Sequence, residues 1–287
     1  MRAITVAKKD FRDAVQSRAL WGLVAVFVLL LLLTTYAYTQ VPELFGPTSE
    51  ATFGGLIFFT VGITSLFVPL AALVVCYKSV AGERELGSIK ILLSLPLTRS
   101  DAFFGKFVGR TGVLAFGLGI GLLAGLGIGS VLLGTVDPIA LFGFLLLTLT
   151  FAAVYSGVMV SLSALTGSTT RATTLAIGFF IVFELLWDAV PVAVVYVIEG
   201  FSLPTTFPDW VFLVTQVSPS TAYLTSLIAL LPDVAAAQGA TVGGGVDVDP
   251  TAVEPFYVTP EVGLVFLALW LAIPLLVGYY RFTTSDL

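Results

Sequence analysis

The chain has no histidine, one cysteine and two methionines in 287 residues. Without imidazole there is no Ser-His or Cys-His nucleophile, no His-ligated zinc and no His-dependent intramembrane proteolysis. Cys76 alone excludes an intramolecular disulfide and a multi-cysteine metal site, and reads as a small buried residue at a span end. Charge is scarce as well: 11% of residues are Asp, Glu, Lys or Arg, against about 25% in soluble domains. No lysine follows Lys106, which removes a late-span retinal Schiff base. The only Gly-Lys pair, Gly105-Lys106, is followed by Phe107 and lacks the upstream glycine of a phosphate-binding loop, so the chain cannot hold ATP by that device.

What is present is apolar length. Hydrophobic residues make up 57% of the chain. A helix needs roughly 20 apolar residues to cross about 30 Å of hydrocarbon. Six runs qualify, at about 20–38, 55–76, 111–133, 139–162, 173–198 and 262–280. The first is followed by no small-residue cleavage site, so it is read as a retained span and not as a signal peptide.

All thirteen Lys and Arg residues fall in four segments separated by pairs of these runs. They are Arg2, Lys8, Lys9, Arg12 and Arg18; Lys78, Arg84, Lys90, Arg99, Lys106 and Arg110; Arg171; and Arg281. Basic residues are retained on the cytoplasmic side during insertion. The pattern therefore predicts an all-α integral membrane protein with six transmembrane helices and both termini cytoplasmic. Six acids share those segments with the thirteen bases, leaving +7 inside, while the outer loops are purely acidic. Residues 1–287 form a single transmembrane domain, because the connecting segments leave no room for a second folded unit.

Before the first span, Ile4, Ala7, Phe11, Ala14 and Val15 recur at helical spacing, with Lys8, Lys9 and Arg12 off that stripe. Residues 1–19 are expected to form an amphipathic interfacial helix, its apolar stripe in the acyl boundary and its bases on anionic lipid headgroups. In span three, Gly117, Gly121, Gly125 and Gly129 repeat every four residues and offer one face for close helix packing. In span five, Glu184 and Asp188 share a helix face, roughly 20 and 26 Å up from Arg171 at a 1.5 Å rise. Intramembrane acids face a cavity or a partner by default, so the pair is a possible substrate pathway; equally, the acids could simply reach outer water. The outer loop 199–261 contains an apolar stretch, 210–231, interrupted by Gln216, Ser218, Pro219, Ser220 and Thr221. A seventh crossing there would put Arg281 outside, so the stretch is expected to be a broken, re-entrant hairpin before the last span.

The densest segment is the cytoplasmic loop 77–110. There Glu83, Arg84 and Glu85 sit between Gly82 and Gly87, followed by Ser88, Ile89, Ile91, Leu92, Leu93 and Leu95. The apolar residues are too few to cross a bilayer, and a short helix from Ser88 to Leu95 would offer a knob to a partner groove. Pro96 would end it and Ser100 could cap the helix into span three.

The segment Glu83-x-x-x-Gly87-Ser-Ile-Lys-Ile-Leu-Leu-Ser-Leu-Pro96-Leu-Thr-Arg99-Ser-Asp-x-x-x-x-Lys106 resembles the stretch after the second span in permease subunits of the type-2 ATP-binding-cassette (ABC) exporter family. The likeness is to the branch that includes the permease of the nitrous-oxide reductase maturation system. It extends to the basic leader, the six spans and the broken hairpin. The resemblance implies that Ser88–Leu95 is a coupling helix docking into a separate ABC ATP-binding subunit, and that the leader is an elbow helix along the inner surface. It also implies that two permease chains pair with two ATPases. The Glu83-Arg84-Glu85 triplet is placed for ion pairing with that subunit. The chain itself would be non-catalytic and without a cofactor, Mg-ATP belonging to the partner; nothing implies nucleic acid. The expected location is the cell membrane, and the expected function is solute export by alternating access. An ion-coupled secondary carrier and a non-transporting assembly factor remain alternatives. Two Met, one Cys and no His argue against a soft-metal path within the chain.

Overall fold

Among the described residues of the computed structural model, six helices are long and apolar enough to cross a membrane. The structure describes residues 2–41, 51–89, 97–202, 204, 207–242 and 259–284, and no strand occurs among them. The candidate spans are α2 (Arg18–Gln40), α3 (Phe53–Cys76), α5 (Arg99–Leu133), α6 (Pro138–Ala164), α7 (Thr169–Phe180) with the π-helical turn Ile181–Leu186 that continues it, and α12 (Val262–Thr284). Between them lie α1 (Arg2–Val15), α4 (Ala81–Glu85), α8 (Ala189–Ile198), α9 (Asp209–Gln216), α10 (Pro219–Leu230) and α11 (Pro232–Val242). Helices satisfy their own backbone polar groups, the condition for crossing hydrocarbon.

Helix α5 starts well before the expected residue 111. Its 35 residues span about 52 Å at 1.5 Å per residue, more than the hydrocarbon core, so it runs on past the apolar layer at its basic end. The cause is local: Thr98 and Asp101 form a reciprocal capping box. Ser100, expected as the cap, instead shares a 2.8 Å hydrogen bond with the Tyr279 hydroxyl of α12. At the other end Gly134, with φ 69°, closes the helix in the left-handed conformation.

The small-residue face of α5 is longer than the sequence suggested, and it organises the bundle. Helix α2 lies over Gly117, Gly121 and Gly125. A Cβ at these positions would meet Val24 at 2.9 Å, the Phe27 ring, and Leu31 Cβ at 3.0 Å. Gly129 faces Leu56 of α3 and Thr35 of α2. The close approach also lets the Thr35 hydroxyl donate to Gly125 O at 3.2 Å. The same four-residue period continues towards the basic end through Gly105 and Gly109, and there α1 is seated. A Cβ at Gly105 would fall 2.6 Å from Val6 Cβ, and one at Gly109 would fall 2.8 Å from Ala7 O. This docking changes the role of the leader's stripe: Ala7 and Ala14 are buried against protein, while Ile4 is 70% exposed. The absence of side chains at Gly105 and Gly109 is what lets α1 approach the α5 backbone this closely.

Helix α6 packs against α3, α5 and α12 at the centre of the bundle. The fifth span is the least embedded, 11% of Thr169–Leu186 being buried against 50% of the α6 span. Helices α9 and α10 are bent 105° apart, which rules out one straight crossing and matches the expected broken hairpin. Pro219 at the start of α10 cannot extend α9, and Ser218 caps α10 by accepting from Thr221 N.

Candidate coupling and pathway sites

At the basic end, four charged residues from three helices meet in the interior. Lys106 of α5 places Nζ 2.6 Å from Glu83 Oε1 of α4 and 3.5 Å from Asp10 Oδ1 of α1. Arg110 places Nε 2.6 Å from Asp10 Oδ2, and its Nη1 donates to Val75 O at 2.7 Å, at the end of α3. The Lys106 side chain is 2% exposed and that of Asp10 8%. A buried charge is tolerable only when paired and hydrogen-bonded, since desolvating each ion costs several kcal/mol.

Glu83, Arg84 and Glu85 diverge. Successive residues on a helix point about 100° apart, and here each reaches a different neighbour. Glu83 pairs with Lys106, Arg84 Nη1 donates to Ala164 O at 3.2 Å at the end of α6, and Glu85 Oε2 accepts from Thr169 N at 2.7 Å in the first turn of α7. A carboxylate at a helix N-terminus satisfies an otherwise orphaned amide and the positive end of the helix dipole. The turn before α4 is held to α6 as well, Ser163 Oγ accepting from Val80 N at 3.2 Å and Ala81 N at 3.0 Å. Gly87, with φ 70°, then turns the chain, and the Ser88 hydroxyl donates to Glu83 O at 3.3 Å. Ile89 points into the core, 1% exposed. Leu92, Leu93 and Leu95 lie outside the described residues.

Sequence reasoning missed Asp10, Lys106 and Arg110 as site residues. One sign was available: Asp10 lies three residues after Ala7 and four before Ala14, on the buried face of α1.

The second site lies in the fifth span. Glu184 and Asp188 open onto a cavity of about 370 Å³ lined also by Phe58, Phe59 and Ser65 of α3 and by Ser220 and Thr221 of α10. The structure thus brings the two acids together with the broken hairpin. The Ser220 hydroxyl lies 2.7 and 2.9 Å from the two Glu184 carboxylate oxygens. Around the π-helical turn, Phe179, Phe183 and Trp187 stack at 4.6 and 4.9 Å, with Trp270 of α12 edge-on to Phe183 at 5.0 Å. Trp187 Nε1 donates to Val214 O at 2.8 Å and Trp270 Nε1 to Val217 O at 2.6 Å. The fifth and sixth spans therefore both hold the bend between α9 and α10.

Six apolar spans, a bent helix pair before the last, and a charge-knitted basic end define a multi-pass helical protein of the cell membrane. The family model described as "ABC-2 family transporter protein" matches residues 4–287, so the chain belongs to the ABC-2 transporter family. It is 29% identical over 285 residues to the probable ABC transporter permease protein NosY of Pseudomonas aeruginosa, covering 96% of this chain and 93% of that protein. It is also 29% identical over 214 residues to the probable ABC transporter permease protein NosY of Stutzerimonas stutzeri, covering 72% of this chain and 75% of that one. The chain is the membrane permease component of an ABC transporter.

Proposed function

We propose that this permease exports a solute by alternating access, driven by Mg-ATP hydrolysed on a separate ABC ATP-binding subunit. That subunit docks on the segment from Glu83 to Leu95, with Leu92, Leu93 and Leu95 as the apolar knob and Ile89 as its anchor in the bundle. The observation that carries the reading is the set of contacts leaving α4. Glu83, Arg84 and Glu85 are bonded to α5, α6 and α7, so a displacement applied at this segment is delivered to three spans at once. Residues with such contacts act as levers and not as surface charges.

A second permease chain completes the pathway in this reading. The sparse burial of the fifth span supports it, because a carboxylate pair on a thinly covered helix is best accommodated facing a shared aqueous vestibule. Glu184 and Asp188 line that vestibule, and the exposed bases Lys8, Lys9 and Arg12 of α1 meet anionic lipid headgroups.

The test is co-purification and transport in a reconstituted membrane. Leu92→Asp with Leu93→Asp should abolish recovery of the ATPase subunit while leaving the permease folded. Solute movement that persists without any bound ATPase would overturn the reading and favour an ion-coupled carrier.

A further inference from the structure

Lys106 touches both the segment after the second span and the N-terminal helix. Its ammonium lies between Glu83 of α4 and Asp10 of α1, itself on α5 and 2% exposed. Its neighbours in the helix, Gly105 and Gly109, are the positions where α1 sits directly on the α5 backbone. Arg110, one turn on, closes the arrangement by holding Asp10 at 2.6 Å and Val75 O at 2.7 Å. Helix α1 and the basic end of α5 are thus fused by packing and charge. The Lys106 to Glu83 pair is the ionic joint between that fused unit and α4.

We propose that Lys106 is a positioning residue for energy coupling: it clamps the segment after the second span to the fused α1–α5 unit, so that the N-terminal helix moves with the driven body and is no passive membrane anchor. The proposal rests on the ATP-driven reading above. A lysine suits the position because a compact ammonium with three donors can serve two carboxylates from different helices. The geometry also makes the joint separable from folding. In Lys106→Met, Asp10 keeps Arg110, while Glu83, its side chain 24% exposed but its Oε2 buried, loses its ion-pair partner. Glu83→Gln breaks the same joint while Lys106 keeps Asp10, so no charge is left without a partner.

The test uses the full permease with its bound ATPase in lipid nanodiscs, in a Cys76→Ala background. Spin labels are placed at Ile4→Cys and Lys78→Cys, or at Lys78→Cys and Ile139→Cys, all exposed positions. Distances are compared between nucleotide-free and vanadate-trapped complexes. With Lys106 intact, the Lys78 to Ile139 distance should change with nucleotide while the Ile4 to Lys78 distance stays fixed. In Lys106→Met the Ile4 to Lys78 distance should shift or broaden between states beyond the width seen with Lys106, with ATPase stoichiometry unchanged; Lys106→Arg should restore the single distance. Glu83→Gln provides the same readout if Lys106→Met fails to assemble. A fixed Ile4 to Lys78 distance in Lys106→Met, or a nucleotide-dependent one with Lys106 intact, overturns the proposal alone. A Lys78 to Ile139 distance that ignores nucleotide when Lys106 is intact overturns the ATP-driven reading, and the proposal with it.

Discussion

Gly121→Ala tests whether the α5 glycines are packing positions or merely weak points in a helix. In isolation the change favours the helix by about 1 kcal/mol, because alanine loses less backbone entropy than glycine. In the bundle a Cβ at position 121 runs into the Phe27 ring, and that ring has nowhere to go: it is fully buried and stacked on Phe67 at 4.5 Å. Forcing a methyl group into a packed contact costs about 1–3 kcal/mol. Gly119 and Gly127 supply the control, since nothing lies within 4 Å of a Cβ at either. The propensity gain is common to all three sites, so the difference between Gly121→Ala and Gly119→Ala isolates the steric term. That difference should be about 1–3 kcal/mol, with Gly119→Ala and Gly127→Ala neutral to stabilising. Equilibrium unfolding in mixed micelles, titrated with dodecyl sulfate, measures it directly. Equal stability of Gly121→Ala and Gly119→Ala would refute the packing argument.

Trp187→Phe and Trp270→Phe each remove one indole donor, to Val214 O and Val217 O, at a cost of about 0.5–1.5 kcal/mol apiece. Both should loosen the α9–α10 bend, seen as faster thiol labelling of Ser220→Cys in a Cys76→Ala background. Asp10→Ala should be more damaging than any substitution of the exposed Asp13, by about 3–5 kcal/mol, because it strips Arg110 and Lys106 of a buried partner. The yield of monodisperse protein in detergent, compared with Asp13→Ala, checks this.

The spans were legible because a hydrophobic run in lipid has only one stable backbone solution, and the segregation of bases supplied an expected orientation. The broken hairpin was legible from Pro219 flanked by polar residues. Gly117 to Gly129 could be read as a face because they fall inside an apolar run. Gly105 and Gly109 continue the same ridge but were hidden among Lys106, Arg110 and their neighbours, where charge suggests a solvated loop. The same bias concealed the buried network: a lone Asp or Lys in sequence reads as surface, and only tertiary pairing makes burial tolerable. The Glu83-Arg84-Glu85 triplet was found, but its targets required the positions of α5, α6 and α7. The π-helical turn at Ile181–Leu186 left no sequence signal, since a shift in backbone hydrogen-bond register has no residue type of its own.

ATP-driven alternating access is tested most directly by the exposure of the Glu184 cavity in each nucleotide state. Ser65 lines that cavity, and Ser65→Cys in a Cys76→Ala background can be challenged with a membrane-impermeant thiol reagent added from outside. Reactivity should differ between the nucleotide-free and vanadate-trapped complexes, and the difference should vanish in Leu92→Asp/Leu93→Asp. One constant rate across both nucleotide states of the intact complex would contradict the mechanism.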